Sequence, residues 1–196
     1  MNYGELKDQI RDMGFSDDAE IEEFGELIPN SINRAIEEIN LNVAPIIETY
    51  EIEQDGTGKG LFFYDIESLT RDDNEEITFL DFADTPVMVG DDVYQTFNDF
   101  EIENEKIMVL DGALEGTFRV FYKKKHTPIT TNTPDTTEIE LPLKAQHMIP
   151  YLAAYYIWLE DEQTKAVYYY NRYEQLLQEY QAKKEKPRAR IASGGI

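Results

Sequence analysis

The stretch "DGTGKGL" at positions 55–61 sets a glycine before a lysine, as a phosphate-binding loop does. Such a loop wraps backbone N–H groups around a phosphate, reaches the terminal phosphates with its lysine and holds magnesium with a following Ser or Thr. Here Gly60 follows Lys59, and Glu53 stands where the opening glycine belongs. The flanks read as strands, whereas a phosphate loop opens a helix. Numbered as a calcium loop, Glu51, Glu53 and Asp55 take early ligand positions, but the bidentate closing position falls on Phe62, which offers no oxygen. The segment reads as a flexible hairpin tip. The run "RDDNEE" (71–76) reads as a solvated acidic loop, with a weak surface calcium ion as the alternative.

Other chemistry fares no better. His126 lies in a threonine-rich stretch, and His147 has Tyr151 four residues on rather than a second ligand. Ser16, Ser31, Ser68 and Ser193 sit in caps or loops, not in the sharp turn a nucleophile needs. Forty Asp and Glu residues make any chosen carboxylate pair uninformative as a glycosidase dyad. With no cysteine, thiolate metal sites, cysteine nucleophiles and disulfides are excluded, in keeping with a reducing compartment. The reading is therefore no enzyme, no metal site and no cofactor.

The remaining conspicuous residues are aromatic. Residues 151–180 hold eight of the thirteen tyrosines. Ala166, Tyr170, Tyr173, Leu177 and Tyr180 step by four and three, the seam of a packed helix. Tyr168 and Tyr169 fall off that seam, and large aromatics on an outer helix face mark a surface that another subunit covers. Trp158, Tyr168 and Tyr169 are the candidate subunit-interface residues.

The elements that position them follow from periodicity. Leu6, Ile10 and Met13 predict a first helix stopped by Gly14; Asp17 with Glu20 offers a capping box for a second. Ile21, Phe24, Ile28, Ile32, Ala35, Ile36 and Ile39 continue one apolar face, with a kink or break expected at Pro29 and an end at Asn40 to Asn42. Residues 45–125 turn to short β-prone runs, including a hairpin turning at Asn104–Glu105. In "GTFRVFYK", Phe118, Val120 and Tyr122 share one face; Thr117, Arg119, Phe121 and Lys123 share the other. Residues 126–142 predict an extended connector. From Leu143, the stripe Met148, Leu152, Tyr155 and Leu159 and the 166–180 seam predict a helical hairpin, with Asp161 capping its second arm. The expected fold class is α+β. Residues 1–44 and 143–185 form a helical bundle, interrupted by an antiparallel β-sandwich or barrel-like insertion over 45–125; 186–196 is a flexible tail.

Charge narrows the partners. The net charge is −22, yet residues 183–196 hold five basic residues against one acid. So acidic a body lacks the basic footprint that tight DNA binding requires. No run approaches the length of a membrane-spanning helix, so no membrane partner is expected.

The sequence runs from the amphipathic "MNYGELKDQIRDMG" and a helix with "INRAIEEINL", through a strand-rich middle with "FFYDIESLT" and "GTFRVFYKKK", to "IPYLAAYYIWLEDEQTKAVYYYNRYEQLLQEY". This order resembles bacteriophage head–tail connector proteins, the adaptors that ring the underside of the portal, and within them those that carry a β-sheet domain. The resemblance covers roughly residues 1–185. It implies a structural virion protein of the head–tail neck, made in the bacterial cytoplasm. The partners it implies are identical copies in a dodecameric ring, the portal protein and a downstream connector or tail protein. DNA would pass through the lumen without specific binding. A C-terminal extension that reaches into the portal would here be "KPRARIASGGI", with Lys186, Arg188 and Arg190 for charge and Ile191 and Ile196 as apolar anchors. The alternatives are another phage tail or baseplate component, or a soluble acidic interaction module with calcium at 71–76.

Overall fold

Asn2 opens the first helix, α1 (Tyr3–Arg11), through a reciprocal cap: its side chain accepts from the Glu5 N–H (2.8 Å), and the Glu5 carboxylate accepts from the Asn2 N–H (3.0 Å). Tyr3, Leu6 and Ile10 then point to one buried side. The structure, a computed structural model, describes residues 1–15, 24–69, 78–90 and 93–184. The expected Asp17–Glu20 cap and the acidic run 71–76 lie outside the described residues.

The second described helix, α2 (Leu27–Asn42), begins two residues before Pro29, so the predicted break at the proline is displaced upstream to a turn at residues 24–26. The physical reason is positional: in the first helical turn a proline's missing N–H has no partner to lose. Ile28, Ile32, Ala35, Ile36 and Ile39 are buried along one face, and the helix ends at Asn42, whose amide donates to the Glu38 carbonyl (3.1 Å).

The chain divides into two compact units: Met1–Ala44 with everything from Thr127 onward, and Pro45–His126. In the first, the extended segment after Thr127 is stitched to the helices. Backbone N–H groups of Tyr3 and Gly4 donate to the carbonyls of Thr137 and Asp135 (both 2.9 Å). Asn33 of α2 exchanges two bonds with the Ile129 backbone (2.7 and 2.8 Å), and the buried Gln146 donates to the carbonyls of Ile139 and Leu141. Ile129, Ile139 and Leu141 are buried by this arrangement. A single turn, α3 (Leu143–Gln146), leads to α4 (Ile149–Trp158) and α5 (Gln163–Lys184).

The second unit holds two antiparallel sheets. One is ordered β1 (Ile47–Asp55), β7 (Glu115–Lys124), β3 (Phe79–Val89), β4 (Gln95–Thr96); the other β2 (Leu61–Asp65), β6 (Ile107–Asp111), β5 (Glu101–Glu103). The fold class is α+β, and both strand orders are open, so neither sheet closes into a barrel. β7, flanked on both sides, buries Phe118, Val120 and Tyr122 while its alternate residues stay half-exposed, as the two-residue period predicts. Those three join Ile52, Ile66, Phe79, Phe82, Val87, Met108 and Leu110, from both sheets, in one core cluster.

β3 is a single strand from Phe79 to Val89. Its register against β7 shifts between Phe82 and Val87, where Pro86 cannot donate to the ladder. The β5–β6 turn falls where the sequence placed it: Asn104 and Glu105 both have positive φ (51° and 62°), the signature of a tight hairpin turn. The 55–61 segment, by contrast, is no hairpin tip. β1 pairs with β7 and β2 with β6, so the segment crosses from one sheet to the other. It lies against the β6–β7 crossing: the Gly112 N–H donates to the Gly60 carbonyl (2.8 Å). A Cβ on Gly58 would stand 2.8 Å from the Gly112 carbonyl oxygen, which explains the glycine. The buried Gln54 fastens both crossings. Its amide, oriented to satisfy its neighbours, donates to the carbonyls of Asp111 and Leu114 (3.0 and 3.1 Å) and accepts from the Tyr64 hydroxyl (2.9 Å).

Candidate functional site

The aromatic hairpin is built on α4, a helix apolar on nearly every side. Ile149, Pro150, Leu152, Ala153, Ala154, Ile157 and Trp158 are all buried, which is what an all-round apolar helix must achieve in water. Pro150 sits in its first turn, where it is tolerated. The stripe expected to end at Leu159 ends instead at Trp158; Leu159 lies past the helix and is exposed. α5 opens one residue later than an Asp161 cap would place it. The Glu162 carbonyl accepts from the Ala166 N–H (3.0 Å), and the Glu162 carboxylate takes Lys165 (2.8 Å).

On the inner side of α5 the seam is as predicted at Ala166 and Tyr173, both buried, with Tyr170, Leu177 and Tyr180 half-buried. The rings form a contact chain: Tyr155 to Tyr170 at 4.9 Å between centroids, then Tyr170 to Tyr173 at 6.0 Å. Beside it, the Tyr156 hydroxyl donates to the Glu38 carboxylate while the Arg34 guanidinium lies 4.0 Å above the ring. Burial, the Glu38 hydrogen bond and the Glu38 charge push the Tyr156 hydroxyl well above its ordinary pKa. Burial, reinforced by Glu38, raises Tyr173 to about 12. Tyr170 and Tyr169 are also raised, again chiefly by burial. Every one of these phenols is thus a neutral donor at physiological pH and a poor source of a phenolate nucleophile. The hairpin's chemistry is that of contact.

The three candidate interface residues part ways. Trp158 is 2% exposed, inside its own unit. Its indole N–H donates to the Met13 carbonyl (2.9 Å), the rings of Phe15 and Phe24 stand 5.1 and 5.6 Å away, and Lys165 Nζ lies 3.9 Å over its face. Its surface is already covered, so as a face for a sibling subunit it is corrected to a core residue. Tyr168 is 66% exposed, with the half-buried Tyr169 packed edge-on against it at 5.3 Å. Val167, the residue before Tyr168, is 57% exposed. The sequence reading missed Val167, although the off-seam argument that singled out Tyr168 applies equally to its neighbour. Lys186, Arg188, Arg190, Ile191 and Ile196 lie outside the described residues.

Among the described residues no group of three or more His, Asp or Glu is arranged to hold a metal ion, and no helix is long and apolar enough to cross a membrane. A protein-family model described as SU10 adaptor protein matches residues 1–194. A search of curated proteins found no match.

Proposed function

The chain belongs to the SU10 adaptor protein family, phage head–tail adaptors that are structural parts of the virion, and from that premise we propose that it rings the portal and joins head to tail. The observation that carries the reading is the extent of the match, residues 1–194, which takes in the helical unit and the β unit together. In this reading the helices make up a bundle that carries the two sheets as a sandwich, and copies assemble as a dodecameric ring in the neck. The Val167–Tyr168–Tyr169 surface of each copy is covered by the next; burial of aromatic area of this kind supplies much of the energy of protein interfaces. The basic tail, with Lys186, Arg188, Arg190, Ile191 and Ile196, docks on the portal as an extended segment that orders on binding.

The net charge of −22 supports a lumen through which DNA passes without being held. A wall of like charge leaves the duplex free to slide, whereas grip requires cations at the phosphates. The opposite end of the ring offers a platform to a downstream connector or tail protein. Electron microscopy of the particle neck tests the assignment. Density for this chain between portal and tail supports it. Particles that form complete necks after deletion of its gene reject it.

A further inference from the structure

Among the described strands, four stand at sheet edges: β1 and β4 in the first sheet, β2 and β5 in the second. Native sheets keep such edges from pairing with other chains by shortening them or loading them with charge. Three of the four are guarded in this way. β1 carries Glu48, Glu51, Glu53 and Asp55, β5 reads Glu101–Ile102–Glu103, and β4 is two residues long. β2 has no such guard. It reads Leu61–Phe62–Phe63–Tyr64–Asp65, and Leu61, Phe62 and Phe63 are 58%, 40% and 57% exposed.

The phase of its ladder shows which backbone groups are free. The Gly60 carbonyl accepts from Gly112, and the Ile66 N–H donates to Lys106, so even-numbered residues turn their backbone groups to β6. The N–H and C=O of Leu61 and Phe63 and the N–H of Asp65 turn the other way, along an edge that no described strand covers; the Asp65 carbonyl accepts from the Ser68 hydroxyl (3.0 Å) and keeps its second lone pair for that edge.

We propose that this edge pairs with β2 of a second copy of the chain, antiparallel and centred on Phe63. Centred there, the three outward residues meet in one register: Phe63 opposite its twin, Leu61 opposite Asp65 in both directions. A slip by the ladder's two-residue step leaves one of the three in each copy outside the pairing. Phe62 is set against Tyr64 of the partner subunit, the kind of aromatic cross-strand pair that stabilises antiparallel ribbons.

Charge selects the occupant and the direction. Lys59 precedes the strand; Asp65 ends it and Glu67 follows, with one cation, Lys106, shared between them (3.6 and 2.9 Å). Antiparallel self-pairing brings each Lys59 to the partner's acidic end. Parallel pairing would set like against like. Pairing with β1 or β5 of another copy would add carboxylates to carboxylates on a chain already at −22. The result is a continuous six-stranded sheet across a twofold axis, a dimer of the free chain that does not rest on the adaptor reading and that parts when copies enter a ring with two distinct ends.

The chain has no cysteine, so single introduced thiols report the register directly. In the proposed pairing the Cα atoms of the two copies at position 63 stand about 5.5 Å apart, within the roughly 4.4–6.8 Å that a disulfide spans. At position 61 they are separated by about 14 Å along the strand, out of reach. Under mild oxidation the full-length Phe63→Cys chain should form a covalent dimer whose yield rises with concentration, and Leu61→Cys should form no covalent dimer. By sedimentation the unmodified chain should dimerise, while Phe63→Lys, which sets like charges opposite each other on an outward position, should be monomeric with an unchanged circular dichroism spectrum. Equal cross-linking at both positions, none at 63, a monomer at every concentration, or a Phe63→Lys chain that still dimerises would each overturn the proposal.

Discussion

Lys165 Nζ lies 3.9 Å above the Trp158 ring and donates to the Gly14 carbonyl at 2.9 Å. One ammonium group therefore closes over the indole, holds the chain that leaves α1 and pairs with Glu162 at the turn between α4 and α5. The α4–α5 turn and the chain leaving α1, 151 positions apart between Gly14 and Lys165, meet at this pair.

Removing the ring should be severe. Trp158→Ala should lower unfolding stability by about 3–5 kcal/mol, the range for deleting a buried aromatic. Lys165→Met keeps the apolar stem but loses the cation over the ring and the bond to the carbonyl, and should lose only about 1–2 kcal/mol. Urea denaturation followed by far-ultraviolet circular dichroism measures both, and equal losses would contradict the division of labour described.

The raised tyrosines predict an alkaline weakness. Each folded-state pKa stands above its unfolded value of 10, so below pH 10 both states keep their protons and this stability is fully present. Above that the unfolded chain ionises first, and stability falls as pH rises toward the folded value, about 12 for Tyr173. Chemical denaturation at a series of pH values should show a flat contribution through neutrality and a decline from pH 10 upward. Tyr173→Phe should make that decline shallower.

Gln54 should tolerate little. Gln54→Leu leaves the Leu114 carbonyl without that donor, while the Asp111 carbonyl keeps the Leu114 N–H (3.1 Å), so the loss should be about 1–3 kcal/mol for the one group left unpaired. Gln54→Glu should be worse at neutral pH, since a carboxylate would face two carbonyl oxygens. Burial would raise its folded pKa above the unfolded value, so its stability should recover as pH falls through the raised folded value and be fully restored once pH reaches the unfolded carboxylate range. Thermal melts at pH 7 and pH 4 distinguish the two variants.

The assembly surface and the tail should separate folding from function. Tyr168→Ala, at a 66% exposed position, should shift the melting temperature of the monomer little while reducing incorporation into particles. Truncation before Lys186 should likewise leave the fold intact and abolish capture by immobilised portal. Portal capture at the intact level would remove the docking role from those eleven residues.

Much of this molecule is legible in the order of its residues. Leu6 and Ile10, the run from Ile28 to Ile39 and the pair Ala166 and Tyr173 repeat at helical spacing, and Phe118, Val120 and Tyr122 alternate. Each of these periods marks one face of one element, a local property that the order of side chains dictates by itself. The turn at Asn104–Glu105 is equally local. Local pattern does not say what covers a face. Trp158 and Tyr168 are both aromatic residues of one hairpin, yet the first is sealed by Phe15, Phe24 and Lys165 and the second is bare. Nor does it say which strands pair: consecutive β1 and β2 went to different sheets, so a segment that read as a hairpin tip became a crossing held by Gln54. Those outcomes were decided by contacts between residues far apart in the chain, where free energy depends on shape and partner rather than on spacing, and only the tertiary structure supplies both.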